Sequence, residues 1–248
     1  MQPLPVQILD LTLLQLTNWR WSWRTMLLSG TVAPLLSTLA LGIFAAEGGA
    51  EALSYVLTGN IVFSLLFSSM DKVSTHFAYM RLVGRLDFFA TLPIRRAALI
   101  LATACAFLLL SLPPVLITMI VGTLVLRVPL AISPWLLLVI PLSSLSLCGL
   151  GALIGTLGRN PEEVGSFSML TSFLLLGLGP VIIPASRLPD AINALSLLSP
   201  ATYAASALRQ TVLGLSDRLS LAVDLAVLAL IMFVLLWLAG RRMDWRRR

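Results

Sequence analysis

Charge is scarce in this sequence, and that scarcity sets the class. Only 11% of the 248 residues are charged while 58% are hydrophobic, and the mean hydropathy is +0.96. A soluble domain of this length needs far more charge to cover its surface. A soluble fold is therefore excluded, and a polytopic membrane protein is expected. Histidine occurs once, at His76, and lysine once, at Lys72. The two cysteines, Cys105 and Cys148, lie in apolar runs with no Cys or His at ligand spacing. That excludes a disulfide framework and a zinc-type site. There is no GxxxxGK[ST] loop, so the chain cannot by itself cradle a nucleoside triphosphate. Intramembrane proteolysis needs paired aspartates, a Ser/His pair or metal ligands, and these are absent as well. No metal or cofactor bound by this chain is expected, and no catalytic residue.

What is abundant is apolar length. Runs near Met26–Ala45, Leu53–Met70, Ala97–Leu124, Pro134–Leu157, Val164–Ile183 and Leu219–Ala239 are each long enough to cross about 30 Å of hydrocarbon at 1.5 Å per residue. The net charge of +6 fits basic cytoplasmic edges facing anionic lipid headgroups rather than nucleic acid. With a cytoplasmic N-terminus, 13 of the 17 basic residues fall inside, among them Arg20, Arg24, Arg159 and Arg246–Arg248. Outside are only Arg127, Arg187, Arg209 and Arg218. Both termini are expected to be cytoplasmic, with six spans between them. The first apolar stretch, Ile8–Leu16, has no preceding positive charge and so is not a secretory signal. Residues 1–24 read as an interfacial helix anchored by Trp19, Trp21 and Trp23 among Arg20 and Arg24.

Asn160-Pro161-Glu162-Glu163 writes a helix start, with a cap, a Pro in the first turn and acids over the positive end of the dipole. Pro34, Pro113, Pro114 and Pro141 fall inside spans, where neighbouring helices must satisfy the carbonyls they orphan. Gly151 and Gly155 allow close helix approach, more naturally within the subunit than in a dimer.

Two stretches break the apolar pattern. The first, 71–96, carries Lys72, Arg81, Arg85, Arg95 and Arg96 between two spans. Read as one helix, it puts Tyr79, Leu82, Leu86 and Phe89 on one face and Arg81, Arg85 and Phe88 on another. Leu92-Pro93 ends it, because proline disfavours the α region for its predecessor and removes a donor. Such a segment lies along a membrane surface or against a partner; it is also readable as a solvated loop helix. His76 is expected at the interface.

The second stretch, 184–216, is too long for a turn and too apolar for a free loop. Leu188-Pro189 opens one short helical pattern through Ile192, Leu195 and Leu198, and Ser199-Pro200 opens another through Tyr203, Leu208 and Val212 to Gly214. A helix pair that dips into the outer leaflet and returns is expected, shielded by protein where its backbone is irregular. Asp224 is the one clear intramembrane charge. It is expected to be a structural pair with Arg209 or Arg218 or a hydrated end, or failing these a substrate or proton site.

These two stretches resemble the permease subunits of ABC-2 type ATP-binding-cassette transporters. That family carries a coupling helix between spans two and three, ending in a pattern like G-x-L-[DE]-x-L-x-x-L-P-x-x-R. Gly84-Arg85-Leu86-Asp87-Phe88-Phe89-Ala90-Thr91-Leu92-Pro93-Ile94-Arg95-Arg96 matches it, with Phe89 for the usual aliphatic. The acidic residue often found before the Gly has no counterpart in Phe77–Val83. Between spans five and six the family has a Pro, a Leu-Pro, a Pro-x-x-Tyr and a Leu-Arg. Pro184, Leu188-Pro189, Pro200 to Tyr203 and Leu208-Arg209 stand there.

The resemblance implies an all-α single domain over 1–248, with six transmembrane helices and an amphipathic cytoplasmic coupling helix. Tyr79, Arg81, Gly84, Arg85, Leu86, Asp87, Phe88, Phe89, Leu92 and Pro93 would meet a separate cytoplasmic ATPase that carries ATP and Mg. Pro184, Pro189, Pro200, Tyr203 and Arg209 would belong to an outer re-entrant gate. A second permease copy or paralogue would complete the path. The implied function is export of a hydrophobic or amphipathic compound, of drug, lipid or glycan class, across a bacterial inner membrane. Other classes compatible with the residues are a non-transporting sensor or scaffold that recruits a cytoplasmic partner, and a secondary transporter. The shortage of intramembrane charge and of inverted halves disfavours the last.

Overall fold

The computed structural model describes residues 3–19, 23–158, 160–215 and 219–242. Arg20, Trp21, Arg159, Ser216, Arg218 and Arg246–Arg248 lie outside the described residues, with the expectations that fell on them. Among those described, every regular element is helical. They are α1 (Leu4–Trp19), α2 (Trp23–Ala45), α3 (Gly49–Leu65), α4 (Asp71–Leu82), α5 (Arg85–Thr91), α6 (Arg96–Leu126), α7 (Leu136–Leu157), α8 (Pro161–Gly177), α9 (Asp190–Ser196), α10 (Pro200–Val212) and α11 (Leu221–Arg242). Four helical runs, Met26–Leu82, Arg96–Leu126, Leu136–Leu157 and Leu221–Arg242, are long and apolar enough to cross a membrane. The first run folds back on itself. A 3-10 turn at Ala46–Gly48 and Gly49 at positive φ (φ 76°, ψ −170°) reverse the chain, and α2 packs along α3. A π-helical turn, Leu66–Met70, then carries α3 directly into α4.

The bundle is apolar outside as well as inside. Leu28, Leu36, Ile43 and Phe44 on α2, Leu124 on α6, Leu137 on α7, and Leu230 and Phe233 on α11 are all exposed. Ser54, Thr58, Asn60, Ser64, Ser68 and Ser74 are instead buried along α3, the π turn and α4. Most of them return a hydrogen bond to their own helix, as Thr58 does to Ser54 O at 2.9 Å and Asn60 to Val56 O at 2.8 Å. Such a surface suits hydrocarbon rather than water, and the protein is a multi-pass membrane protein.

Proline and glycine fix the close contacts. Pro34 has no N–H to offer Gly30 O, and the Ser64 hydroxyl donates to that carbonyl instead at 2.8 Å. Pro113 and Pro114 lie inside α6 and Pro141 inside α7, and both helices run on through them. A Cβ at 151 would overlap the Met70 carbonyl, and one at 155 would sit 2.7 Å from Ser74 O. The two glycines of α7 thus seat the backbone of the π turn and α4 within the same subunit.

The fifth apolar run ends earlier than expected, at α8. The apolar run to Ile183 read as a full span, but the helix stops at Gly177 after 17 residues, about 25 Å. Gly179-Pro180 is the cause, because proline removes a donor and pushes its predecessor out of the α region. The chain then crosses α3, where a Cβ at Gly59 would lie 2.8 Å from Val181 O.

Two clusters of buried side chains hold the bundle. One joins α3, α7, α8, α10 and α11 around Leu57, Ile61, Leu147, Leu208 and Leu228. The other joins α1, α4, α5, α6 and α7 around Leu11, Phe77, Leu86, Phe89 and Phe107. The α4–α5 connection and the α7–α8 turn share one end of the bundle. The α2–α3 turn, the α6–α7 loop and the end of α10 share the other, where Ala131 and Ser133 amides donate to Val212 O and Thr211 O, each at 2.8 Å.

Candidate functional site

At the first end, α4 stops where the sequence supplies a glycine. Val83 N and Gly84 N turn back to Tyr79 O (3.0 Å) and Arg81 O (3.2 Å), and Gly84 takes φ 74°, ψ 12°. Only glycine holds the left-handed region without cost. A Cβ there would meet nothing closer than Asp87 Oδ2 at 3.8 Å, so the demand is on φ and not on space. The chain restarts as α5, with Phe88 N donating to Gly84 O at 3.3 Å. It ends at Leu92 in an extended conformation before Pro93, as the Leu-Pro pair requires.

The break at Gly84 redistributes the faces expected of a continuous helix. Leu86 (4% exposed) and Phe89 (6%) are buried in the cluster with Phe77 and Phe107, while Tyr79 and Leu82 are exposed. Val83, Phe88 (62% exposed) and Leu92 join the exposed side. Arg81 and Arg85 do not share a role either. The Arg81 guanidinium donates to Gly158 O at 2.9 Å and Thr156 O at 3.0 Å, at the carbonyl end of α7. A cation there satisfies orphan carbonyls and the negative end of the helix dipole. Arg85, Asp87 and Pro93 are exposed.

The N-terminal helix braces the same loop, which sequence reading missed. Gln7 Oε1 accepts from Arg95 N at 3.2 Å, at the start of α6. Gln15 Oε1 lies 3.1 Å from His76 Nε2, and the His76 ring stands 5.4 Å from that of Phe107. His76 is therefore buried between α1 and α6. The legible signal was Gln7 and Gln15, two long polar side chains eight residues apart in a largely apolar helix.

At the other end, prolines punctuate the chain. Pro184 precedes the 3-10 turn Ala185–Arg187, Pro189 precedes α9, and Pro200 sits in the first turn of α10. Asn193 Nδ2 ties α9 to Ala185 O and Leu188 O, both at 3.1 Å. Tyr203 donates to Leu197 O at 2.7 Å and closes the α9–α10 turn. Helix α10 is buried almost all round, against α3, α7 and α11. Arg209, 2% exposed, lays its guanidinium 4.1 Å from the Tyr55 ring centroid. Asp224, fully buried on α11, accepts from Ser206 Oγ at 2.6 Å and Gln210 Nε2 at 2.8 Å. Asp224 is thus held by α10. Among the described residues no group of three His, Cys, Asp or Glu side chains could hold a metal ion.

The model of the ABC-2 type transporter family matches residues 7–213, from α1 to the end of α10. No curated protein matches the chain. A match over that share of the sequence shows the family: the chain belongs to the ABC-2 type transporters, a family of membrane permeases and not of catalysts.

Proposed function

We propose that this ABC-2 permease exports a hydrophobic or amphipathic compound across a bacterial inner membrane, powered by a separate cytoplasmic ATPase that binds ATP and Mg. The observation that carries the reading is the exposed apolar patch of Tyr79, Leu82, Val83, Phe88 and Leu92 on a loop that is fixed to three helices. An apolar patch with Arg85 and Asp87 at its edge is the surface of a protein-protein contact. Its anchors favour transmission: Arg81 holds the end of α7, Leu86 and Phe89 hold the core, and only the short extended link 92–95 separates α5 from α6. A push on Phe88 would tilt helices instead of bending a free loop.

Six passes fit this function, namely α2, α3 with the π turn, α6, α7, α8 and α11. The basic residues Lys72, Arg81, Arg85, Arg95, Arg96, Arg241 and Arg242 then face the cytoplasm at one end, in keeping with positive-inside bias. The α9–α10 hairpin would dip into the outer leaflet as a gate, with α8 short enough to leave room for it. A second copy or a paralogue would supply the facing half of the path. The lipid bilayer is the medium, and nucleic acid has no part.

Co-purification of the ATPase with the permease tests the docking surface. Phe88→Ala should lower recovery of the complex while the permease inserts and melts as the wild type does. Recovery unchanged by Phe88→Ala together with Tyr79→Ala would remove this loop from the interface.

A further inference from the structure

The last helix carries an exposed apolar stripe that ends in charge. Leu230, Phe233, Val234 and Trp237 recur at three- and four-residue spacing along α11, each at least 42% exposed. One turn further on, the Arg241 guanidinium lies 3.8 Å from the Trp237 ring centroid. Arg241 and Arg242 are both exposed. The opposite face of this end is fixed. Ala239 is fully buried in the cluster that holds Ala98, Leu99 and Ile100 of α6, and a Cβ at Gly240 would lie 3.8 Å from Ile100 Cδ1. That packing brings the two arginines to the start of α6, where Arg95 and Arg96 are exposed as well.

This order of groups selects an occupant. Stacking on Trp237 uses the flat face of the Arg241 guanidinium and leaves its N–H donors in the plane, a fork that matches a phosphate group. No described group accepts a hydrogen bond from Arg241 or Arg242. The six residues after Arg242 hold three arginines and one aspartate in sequence, so they do not reverse the sign of this corner. Tryptophan belongs at headgroup depth, and the stripe beyond it offers only apolar side chains. Hydrocarbon, then indole, then guanidinium is the order of chains, interface and phosphate in a lipid. A second copy of the chain fits less well. Both copies would insert the same way round, so a two-fold contact along the stripe would set Arg241 and Arg242 against their own counterparts.

We propose that the end of α11 seats one anionic phospholipid, with Arg241 and Arg242 on its phosphate and its chains along Leu230, Phe233 and Val234. This lipid is a fixed component of the protein and not its cargo. The site stands apart from the ATPase and export readings, and only its assignment to the inner leaflet rests on the topology proposed above.

The test is a titration of delipidated full-length protein in dodecyl maltoside with dioctanoyl phosphatidylglycerol, counting bound lipid by native mass spectrometry. A saturable first site is expected, about tenfold tighter than for dioctanoyl phosphatidylcholine. Arg241→Gln with Arg242→Gln should abolish that preference, weakening phosphatidylglycerol by about tenfold and phosphatidylcholine hardly at all. Trp237→Leu keeps an apolar surface but removes the stacking face, and should weaken phosphatidylglycerol by about threefold. All three positions are exposed, so melting temperatures should match the wild type. Arg127→Gln with Arg187→Gln removes the same charge from the other end of the bundle and should leave the preference intact. Inorganic phosphate should not displace the lipid, because it lacks the chains. Equal affinity for the two lipids, or equal losses from the two double arginine variants, overturns the site in favour of bulk charge. Displacement by inorganic phosphate overturns it in favour of a free-anion site. Disulfide cross-linking of Phe233→Cys between copies in native membranes would show that a second copy covers the stripe, and would overturn it too. ATP-driven flux plays no part in these readings, so their failure leaves export standing.

Discussion

Phe88 and Phe89 are neighbours with opposite duties, and replacing each singly tells structure from contact. Phe89 fills the cluster that joins α1, α4, α5 and α6, so Phe89→Ala should cost about 3–5 kcal/mol of stability, read as a lowered melting temperature in detergent. Phe88→Ala removes an exposed ring and should change stability by less than about 0.5 kcal/mol. Arg81 and Arg85 divide in the same way. Arg81→Ala deletes two hydrogen bonds to the α7 carbonyls and should cost about 1–2 kcal/mol, while Arg85→Ala should be close to neutral. Equal melting temperatures for Arg81→Ala and Arg85→Ala would show that the α7 contact does not hold the loop. Gly84→Ala should cost about 1–2 kcal/mol through φ alone. None of these divisions was legible in the sequence. A heptad-like spacing assigned Tyr79, Leu82, Leu86 and Phe89 to one face because it assumed a continuous helix. The Gly84 left-handed turn breaks that register. Arg81's acceptors lie more than seventy residues away, beyond any local pattern.

Elements were more legible than faces, because their ends are written in local chemistry. Asn160-Pro161 starts α8 with the Asn160 side chain accepting from Glu163 N at 2.7 Å, as its cap signal required. Ser199-Pro200 starts α10, and Leu92-Pro93 follows the end of α5. The early stop of α8 was present too, in Gly177-Leu178-Gly179-Pro180, but an apolar run masked it when hydropathy alone was followed. The hairpin's placement carries a prediction of its own. Leu195 and Leu198 on the α9 side are exposed, while Ala204 and Ala207 on α10 are fully buried. Fluorophores at 195 and 198 should be quenched strongly by lipid-borne spin labels, and one at 204 weakly. Uniform quenching by a water-soluble agent along 190–212 would place the hairpin in solvent.

For the whole molecule, hydropathy and charge made the class plain before any packing was known. The family match ends at 213, so α11 and Asp224 lie beyond what it describes, although Asp224 is bonded to α10. Topology is open to direct labelling. In a background with Cys105 and Cys148 replaced, an impermeant thiol reagent should reach cysteines at 47 and 190 in intact cells and a cysteine at 85 only after permeabilisation. Labelling at 85 in intact cells would invert the bundle and leave the α4–α5 patch on the wrong side for an ATPase. The most direct measurement is cargo flux in proteoliposomes that hold the permease with its ATPase, using a fluorescent amphiphile and following its movement on addition of ATP. Flux should require both proteins and ATP hydrolysis, and should fall with Phe88→Ala while both proteins remain folded. Equal flux without the ATPase, driven by a proton gradient, would contradict the ATP-coupled permease outright.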